Sequence, residues 1–189
     1  SLEAVQADLV SALDKFKDVE APHTEEDPKK AAAIQLAEEA GQFINEGCYK
    51  AAVTVAGQAM SLDSDNILAW SHMVRALSLD GNDEQAIVVA RGGIEQTGAA
   101  ALRITLASVL IKAGRSGEVM DVLDIREHRE LLDHAEVFIL LAKAYVDLKM
   151  FDTAKETLEE GRMLFPQDRG IEARLEQLLE ILDQLDEFV

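Results

Sequence analysis

Cysteine, proline and aromatic residues are all scarce in this sequence of 189 residues. The single cysteine, Cys48, excludes an intramolecular disulfide framework and a zinc site built from several cysteines. No apolar run approaches the roughly 20 residues needed to cross a bilayer, so we expect no direct membrane insertion. Three prolines and 5% aromatic residues leave a chain rich in Ala, Leu and Glu, which favours helix over strand. We therefore predict an all-α fold.

Basic residues are also few, since 18 Lys and Arg against 36 Asp and Glu give a net charge of −18. Nucleic acids and anionic lipid surfaces are bound by clustered Lys and Arg, so we expect neither as a partner. Hydrophobic residues make up 48% of the chain, which is enough to bury a sizeable core. The acidity is concentrated at the ends: residues 1–28 carry eight acidic and two basic residues, and 168–189 carry seven and two.

Both ends of the chain show the apolar pattern of an amphipathic helix. Apolar residues recur at steps of three and four at Leu2, Val5, Leu9, Ala12, Phe16 and Val19, and again at Ile171, Leu175, Leu178, Leu182, Leu185 and Val189. These stripes predict an N-terminal helix over 1–19 and a C-terminal capping helix over 168–189. A proline-containing linker over 20–28 follows the first of them, and Asp27 and Pro28 are the predicted N-cap and first residue of the next helix.

A repeat of about 34 residues lies between these ends. Its turn positions, Gly47, Gly81, Gly114 and Lys149, are 34, 33 and 35 residues apart, and each follows a helical stretch. The fourth unit is the most complete, with Phe138, Leu141, Ala142, Tyr145, Phe151, Ala154, Leu158 and Pro166; the third is the weakest, with Leu106, Ala107 and Leu110. Trp70 and Ala86 mark the second unit, and Leu36, Ala40, Phe43 and Tyr49 the first. This pattern resembles the tetratricopeptide repeat (TPR) family.

The resemblance implies a right-handed superhelical stack of helix–turn–helix units with N- and C-terminal capping helices. Four units at about 33–66, 67–99, 100–134 and 135–167 would fill 29–167. Gly92 and Gly93 lie within a helical pattern, which indicates close helix packing there. In this family the first helix of each unit lines a concave groove, and the resemblance places there Asn45, Leu68, Ser71, Arg75, Ile104, Ser108, Lys112, Ile139 and Lys143. Aliphatic residues interleaved with cations favour a peptide-binding groove; the alternative is that these are ordinary solvated helix positions.

One TPR binding mode is not expected. Family members that bind the C-terminal carboxylate of heat-shock chaperones use a Lys and an Asn one turn apart on the first helix. This sequence has Ala37 and Gly41 at those positions, so we expect no such carboxylate clamp.

Little in the sequence points to catalysis. It has no glycine-rich phosphate loop and no nucleophile paired with a base in a recognisable context. The one candidate metal cluster is the stretch 127–134, with His128, Glu130, Asp133 and His134, which we interpret as a solvated connection between units. We therefore predict that the chain is not an enzyme and holds neither a cofactor nor a metal.

Taken together, these features predict a non-enzymatic scaffold or adaptor that binds a peptide or protein partner in its groove. The alternative is a small acidic secretion-type TPR chaperone that forms a homodimer through residues 1–19. Whether 1–19 caps the stack or mediates dimerisation is open from the sequence. No basic segment followed by an apolar stretch is visible near the start, and we expect a cytoplasmic protein.

Overall fold

The computed structural model describes residues 27–186, and the predicted N-terminal helix over 1–19 lies outside them. The α-helices of the described part are α1 (Pro28–Asn45), α2 (Tyr49–Leu62), α3 (Ile67–Leu79), α4 (Asp83–Thr97), α5 (Ala100–Lys112), α6 (Val119–Val122), α7 (Ala135–Asp147), α8 (Phe151–Leu164) and α9 (Arg169–Asp186). No strand occurs among these residues. The Asp27 N-cap is confirmed, since its Oδ1 accepts from the N–H of Lys29 at 3.0 Å.

The helices pack as consecutive pairs, which we number as units one to four: α1–α2, α3–α4, α5–α6 and α7–α8. The first helix of each unit also packs against the first helix of the next, and α9 continues this series by packing on α7 and α8. The odd-numbered helices α1, α3, α5, α7 and α9 therefore form one continuous layer. Any groove of the kind implied by the resemblance has this layer as its wall.

The turn inside each unit is the same backbone motif repeated four times. The turn residues Gly47, Gly81, Gly114 and Lys149 all have positive φ, between 60° and 85°. The N–H of the residue after each turn position bonds a carbonyl five residues earlier, from Cys48 to Phe43, Asn82 to Leu77, Arg115 to Leu110 and Met150 to Tyr145, at 2.8–2.9 Å. This is the Schellman helix end, which requires left-handed backbone at the turn residue. The sequence period is thus the period of this motif.

Within units two and four, a large aromatic residue of the first helix packs against a glycine of the second. An ideal Cβ on Gly93 would lie 3.0 Å from Cδ2 of Trp70, and one on Gly161 would lie 2.7 Å from Cβ of Phe138. Contacts this short show that the two helices cross with no room for a methyl group. The predicted close packing at the Gly92–Gly93 pair is therefore confirmed at Gly93, whereas Gly92 has only ordinary contacts beyond 3.8 Å.

Unit three departs from this plan. The resemblance implied a full second helix in every unit, but α6 has only four residues, preceded by a single 3-10 turn over Ser116–Glu118. At the positions equivalent to the aromatic and the glycine, unit three carries Arg103 and Arg126. Two guanidinium groups cannot share a dry helix crossing, because burying unpaired charges is costly. The second helix ends at Val122, before it would reach Arg126, whose side chain is 87% exposed.

The chain after α6 still contributes to the core despite its irregular backbone. Leu123 and Leu131 are almost fully buried in the core cluster to which α3, α4, α5 and α7 contribute. A 3-10 segment over Arg129–Asp133 places Leu131 inward. The connection predicted as solvated is therefore anchored by apolar side chains, while Arg129, Glu130, Asp133 and His134 are exposed.

Candidate peptide-binding site

The residues expected to line the groove all lie on the first helices of the four units, within the continuous layer. Six of them are exposed, namely Asn45, Leu68, Arg75, Ser108, Lys112 and Lys143. Ser71 and Ile139 are half-buried. Ile104 is only 7% exposed and belongs to the main core cluster, so its side chain is not presented to a ligand. The reason is that α5 is the middle of the layer, packed between α3 and α7.

Lys112 is held by other parts of the protein. Its Nζ donates to Oδ1 of Asp83 at 2.9 Å, to Oγ of Ser78 at 3.1 Å and to the backbone carbonyl of Ser78. Ser78 in turn donates its hydroxyl to Asp83 at 2.7 Å. The bond from Ser78 and then the ammonium group of Lys112 lower the pKa of Asp83. Lys112 therefore joins units two and three, and its ammonium group already forms an ion pair within the protein.

The equivalent junction between units three and four uses a related pair. Ser116 stands where Asp83 stands in unit two, and Asp147 stands where Lys112 stands in unit three. The hydroxyl of Ser116 donates to Oδ2 of Asp147 at 2.5 Å. A short polar contact between the start of one second helix and the end of the next first helix thus recurs, with different residue types.

An open cleft of about 220 Å³ lies between α7 and α9, with Leu158 of α8 at its base. We refer to it as the α7–α9 cleft. Its apolar residues, which we call the floor, are Ile139, Ala142, Val146, Leu158, Leu178 and Ile181. Its polar residues are Lys143, Asp147, Arg174 and Gln177. Two predicted groove residues, Ile139 and Lys143, therefore come together here on the wall formed by α7.

The polar residues of the cleft differ in how they are engaged. Asp147 accepts the hydroxyl of Ser116, as described above, and Nη1 of Arg174 donates to Oε1 of Gln177 at 2.8 Å. That bond uses one of the five N–H groups of the guanidinium. Lys143 and Arg174 are both exposed, one on each wall. The cleft therefore combines an apolar floor with two cations and one carboxylate.

Arg174 and Gln177 were not among the residues predicted from the sequence. The stripe Ile171, Leu175 and Leu178 identified α9 as a cap, and these three residues are indeed buried. Arg174, Gln177 and Ile181 lie one position before Leu175, Leu178 and Leu182, at the same steps of three and four. That second stripe was the available signal, because it places the polar residues beside the buried face.

A second apolar depression lies on a different surface, where α2, α3 and α4 meet. Val53, Met73, Leu77, Val88 and Val89 line it, beside Glu84 and Gln85. Val88 is 70% exposed. Glu84 is paired with Arg115 at 3.0 Å. None of the residues predicted for the groove lies here.

The stretch 127–134 brings two of its titratable residues together, since Nδ1 of His128 lies 3.5 Å from Oε1 of Glu130. Within residues 27–186, no group of three or more His, Cys, Asp or Glu side chains is arranged to hold a metal ion. Cys48, at the N-cap of α2, is exposed. None of the described helices is both long and apolar enough to cross a membrane.

Solved structures with a similar fold include three helical proteins. The match to PilF of Pseudomonas aeruginosa covers 83% of this chain and 72% of the PilF chain at 15% identity, with a TM-score of 0.71. The match to MamA 41-end from Desulfovibrio magneticus RS-1 covers 80% of this chain and 86% of the MamA chain at 16% identity, with a TM-score of 0.63. YrrB is described as a TPR protein with an unusual peptide-binding site. The match to it covers 84% of this chain and 81% of the YrrB chain at 16% identity, with a TM-score of 0.57.

No protein-family model matches the sequence, and no curated protein matches it. At about 15% identity the likeness to the solved structures shows the fold. Paired helices, the repeated Schellman turn and the continuous layer of first helices lead to the same architecture. The chain is an all-α helical repeat protein with the TPR fold.

Proposed function

We propose that this protein is a non-enzymatic scaffold that binds a peptide segment of a partner protein in the α7–α9 cleft. The observation that carries the proposal is the cleft itself, an apolar floor open to solvent on the layer of first helices, with polar groups at its edge. Ligand sites in proteins commonly combine apolar walls with a few convergent polar groups. YrrB, a protein of the same fold, is described as having a peptide-binding site, which supports this class of function.

The exposed aliphatic residues add to this support. Ile181 at the cleft is 40% exposed and Leu68 on α3 is 42% exposed, and both belong to helices of the same layer. Apolar groups gain about 25 cal/mol for each Å² removed from water. A peptide side chain that covers Ile181 would therefore gain affinity from contacts the free protein leaves unmade. A cytoplasmic setting, and dimerisation through residues 1–19, stay predictions.

The test is a selection of peptides from a random displayed library on the immobilised full chain. Dissociation constants of the selected peptides are then measured by fluorescence anisotropy. Ile181→Asp places a charge on the cleft floor and should weaken binding about tenfold or more, which corresponds to about 1.4 kcal/mol. Val88→Asp, at the more exposed apolar site on α4, is the matched control and should leave binding unchanged.

Two results would contradict the proposal. One is that the selected peptides bind Ile181→Asp as tightly as the original chain. The other is that Val88→Asp, and not Ile181→Asp, removes binding, which would move the site to the depression between α2, α3 and α4. Because both positions are exposed, neither variant should alter the fold, and circular dichroism melting curves check this.

A further inference from the structure

We propose that the ligand of the α7–α9 cleft is an acidic peptide, with an aliphatic side chain on the floor and a carboxylate between Lys143 and Arg174. This inference rests on the proposed function and adds the chemistry of the partner. Its basis is the charge of the cleft, which is opposite to that of the chain as a whole.

The net charge of the chain is −18, yet the cleft carries two cations and one carboxylate. The difference arises from how α9 is oriented. Glu172, Glu176 and Glu180 of this helix are not among the cleft residues, whereas Arg174 is. Helix α9 thus directs Arg174 into the cleft, whereas Glu172, Glu176 and Glu180 lie outside it. The rest of the surface repels an acidic peptide, so a locally positive site also orients it.

The one carboxylate in the cleft is already engaged. Oδ2 of Asp147 accepts the Ser116 hydroxyl at 2.5 Å. Arg174 is oriented by its bond to Gln177 and retains further N–H donors, and Lys143 offers three. Cations on opposite walls over an apolar floor can bind a carboxylate more strongly than in open water, because the neighbouring apolar groups exclude solvent.

The dimensions of the cleft restrict the ligand to a short segment. A volume of about 220 Å³ is below the range of about 300–1,000 Å³ typical of drug-sized ligand pockets. It accommodates one or two residues of an extended peptide rather than a helix. Ile139, Val146 and Ile181 provide the contact for one aliphatic side chain. The carboxylate can belong to the C-terminus of the peptide or to a Glu or Asp next to that aliphatic residue.

The experiment titrates three acetylated peptides of the form Gly-Leu-X-Leu-Leu into the ¹⁵N-labelled full chain and follows amide shifts. The first has Gln at X and a free C-terminus, the second has Glu at X and a C-terminal amide, and the third has Gln and an amide. We expect at least one of the two acidic peptides to bind about tenfold more tightly than the neutral one. The first two peptides distinguish a terminal from a side-chain carboxylate.

Variants test the two cations directly. Lys143→Gln and Arg174→Gln should each weaken binding of the acidic peptide about three- to tenfold and leave binding of the neutral peptide unchanged. Lys50→Gln, at an exposed position on α2, is the matched control for loss of one positive charge. The ratio of acidic to neutral affinity is the informative quantity, since it does not depend on small changes in stability.

The outcomes separate this inference from the proposed function. Equal binding of all three peptides, still sensitive to Ile181→Asp, overturns the carboxylate inference and leaves the cleft as a peptide site. Unchanged acidic affinity in both Gln variants also overturns it. If none of the three peptides shifts cleft resonances, the inference is wrong, and the library selection decides separately whether the cleft binds any peptide.

Discussion

The imidazole of His72 occupies the space beside Gly41 that any side chain there would need. An ideal Cβ on Gly41 would lie 2.6 Å from Cε1 of His72, and Nδ1 of His72 lies 2.7 Å from the carbonyl oxygen of Ala37. Nδ1 must carry the proton for this bond, which fixes the tautomer. Ala37 and Gly41, where TPR proteins with a carboxylate clamp have polar residues, thus serve the contact between α1 and α3.

Gly41→Ala should destabilise the protein even though alanine favours helix. The helical gain is about 1 kcal/mol, but the ring must move, losing its bond to Ala37 and straining the packing, at about 2 kcal/mol. We expect a net loss of about 1 kcal/mol in the free energy of unfolding, measured with urea. Gly57→Ala is the control, because nothing lies within 4 Å of its Cβ position, and it should stabilise by about 1 kcal/mol.

A double-mutant cycle identifies the cause of the Gly41 effect. In a His72→Ala background the ring is absent, so Gly41→Ala should become neutral or stabilising. A Gly41→Ala cost that persists without the ring would show that another contact is responsible.

The adjacent glycines of α4 should respond in opposite directions to alanine. A Cβ on Gly93 would meet Leu102 at 2.9 Å and Trp70 at 3.0 Å, whereas one on Gly92 would meet Trp70 only at 3.9 Å. Gly93→Ala should therefore cost about 1–3 kcal/mol through overpacking. Gly92→Ala should be neutral or stabilise by up to about 1 kcal/mol. Thermal melts of the two variants make the comparison, and equal melting temperatures would contradict the packing described for this crossing.

Lys149 occupies a turn position where the other three units have glycine. Its φ of 60° is left-handed, which costs a residue with a Cβ about 1–2 kcal/mol. Lys149→Gly should raise the free energy of unfolding by about 1 kcal/mol after allowing for the more flexible unfolded chain. At Gly81 the space around an added Cβ is open and φ is 85°. The converse change, Gly81→Ala, should therefore lower the free energy of unfolding by a similar amount because of the backbone alone. A destabilising Lys149→Gly would show that the lysine side chain contributes a favourable contact.

The network at Asp83 predicts a pH dependence of stability. Its pKa lies below the usual value of 3.8 for an aspartate because the Ser78 hydroxyl and the Lys112 ammonium favour the carboxylate. The folded state therefore holds the ionised form more strongly than the unfolded chain does. This contribution is present above the unfolded pKa and is lost as the pH falls through the lower folded pKa.

The measurement compares urea unfolding of the original chain and Asp83→Asn at several pH values. The variant should be less stable at pH 7, and the difference should shrink as the pH falls below 3.8. Glu95→Gln, an exposed charge change on the same helix, should show little difference at any of these pH values. A difference for Asp83→Asn that is independent of pH would mean that the side-chain shape, and not its charge, matters.

The repeat could be predicted from the sequence because its determinants are local or recur at a fixed period. The positive φ at Gly47, Gly81 and Gly114 belongs to a turn closed within six residues. The pairing of Trp70 with Gly93 follows from residue size at equivalent positions. Such features can be recognised without knowledge of distant contacts, and the resemblance of their residues and period to TPR units implied the fold.

The candidate site was less predictable because its properties depend on neighbouring helices. Whether Ile104 faces a ligand or the core depends on how tightly α3 and α7 enclose α5. Lys112 was predicted as a groove cation, yet its partners Ser78 and Asp83 are 34 and 29 residues away. Arg174 lines the cleft because of the rotation of α9 about its own axis where it packs on α7.

Arg103 stands at the position where units two and four have an aromatic residue, and this difference gives a last prediction. Nε of Arg103 is buried and finds no hydrogen-bond partner, which costs about 1–3 kcal/mol for the desolvated group. Arg103→Met retains an apolar chain of similar length and removes the unpartnered donor. It should leave stability unchanged or raise it by about 1 kcal/mol in urea unfolding. Phe138→Ala, at the equivalent and fully buried position of unit four, should instead lose about 3–5 kcal/mol. A loss of more than about 1 kcal/mol for Arg103→Met would show that the guanidinium stabilises unit three, contrary to the account of its shortened helix.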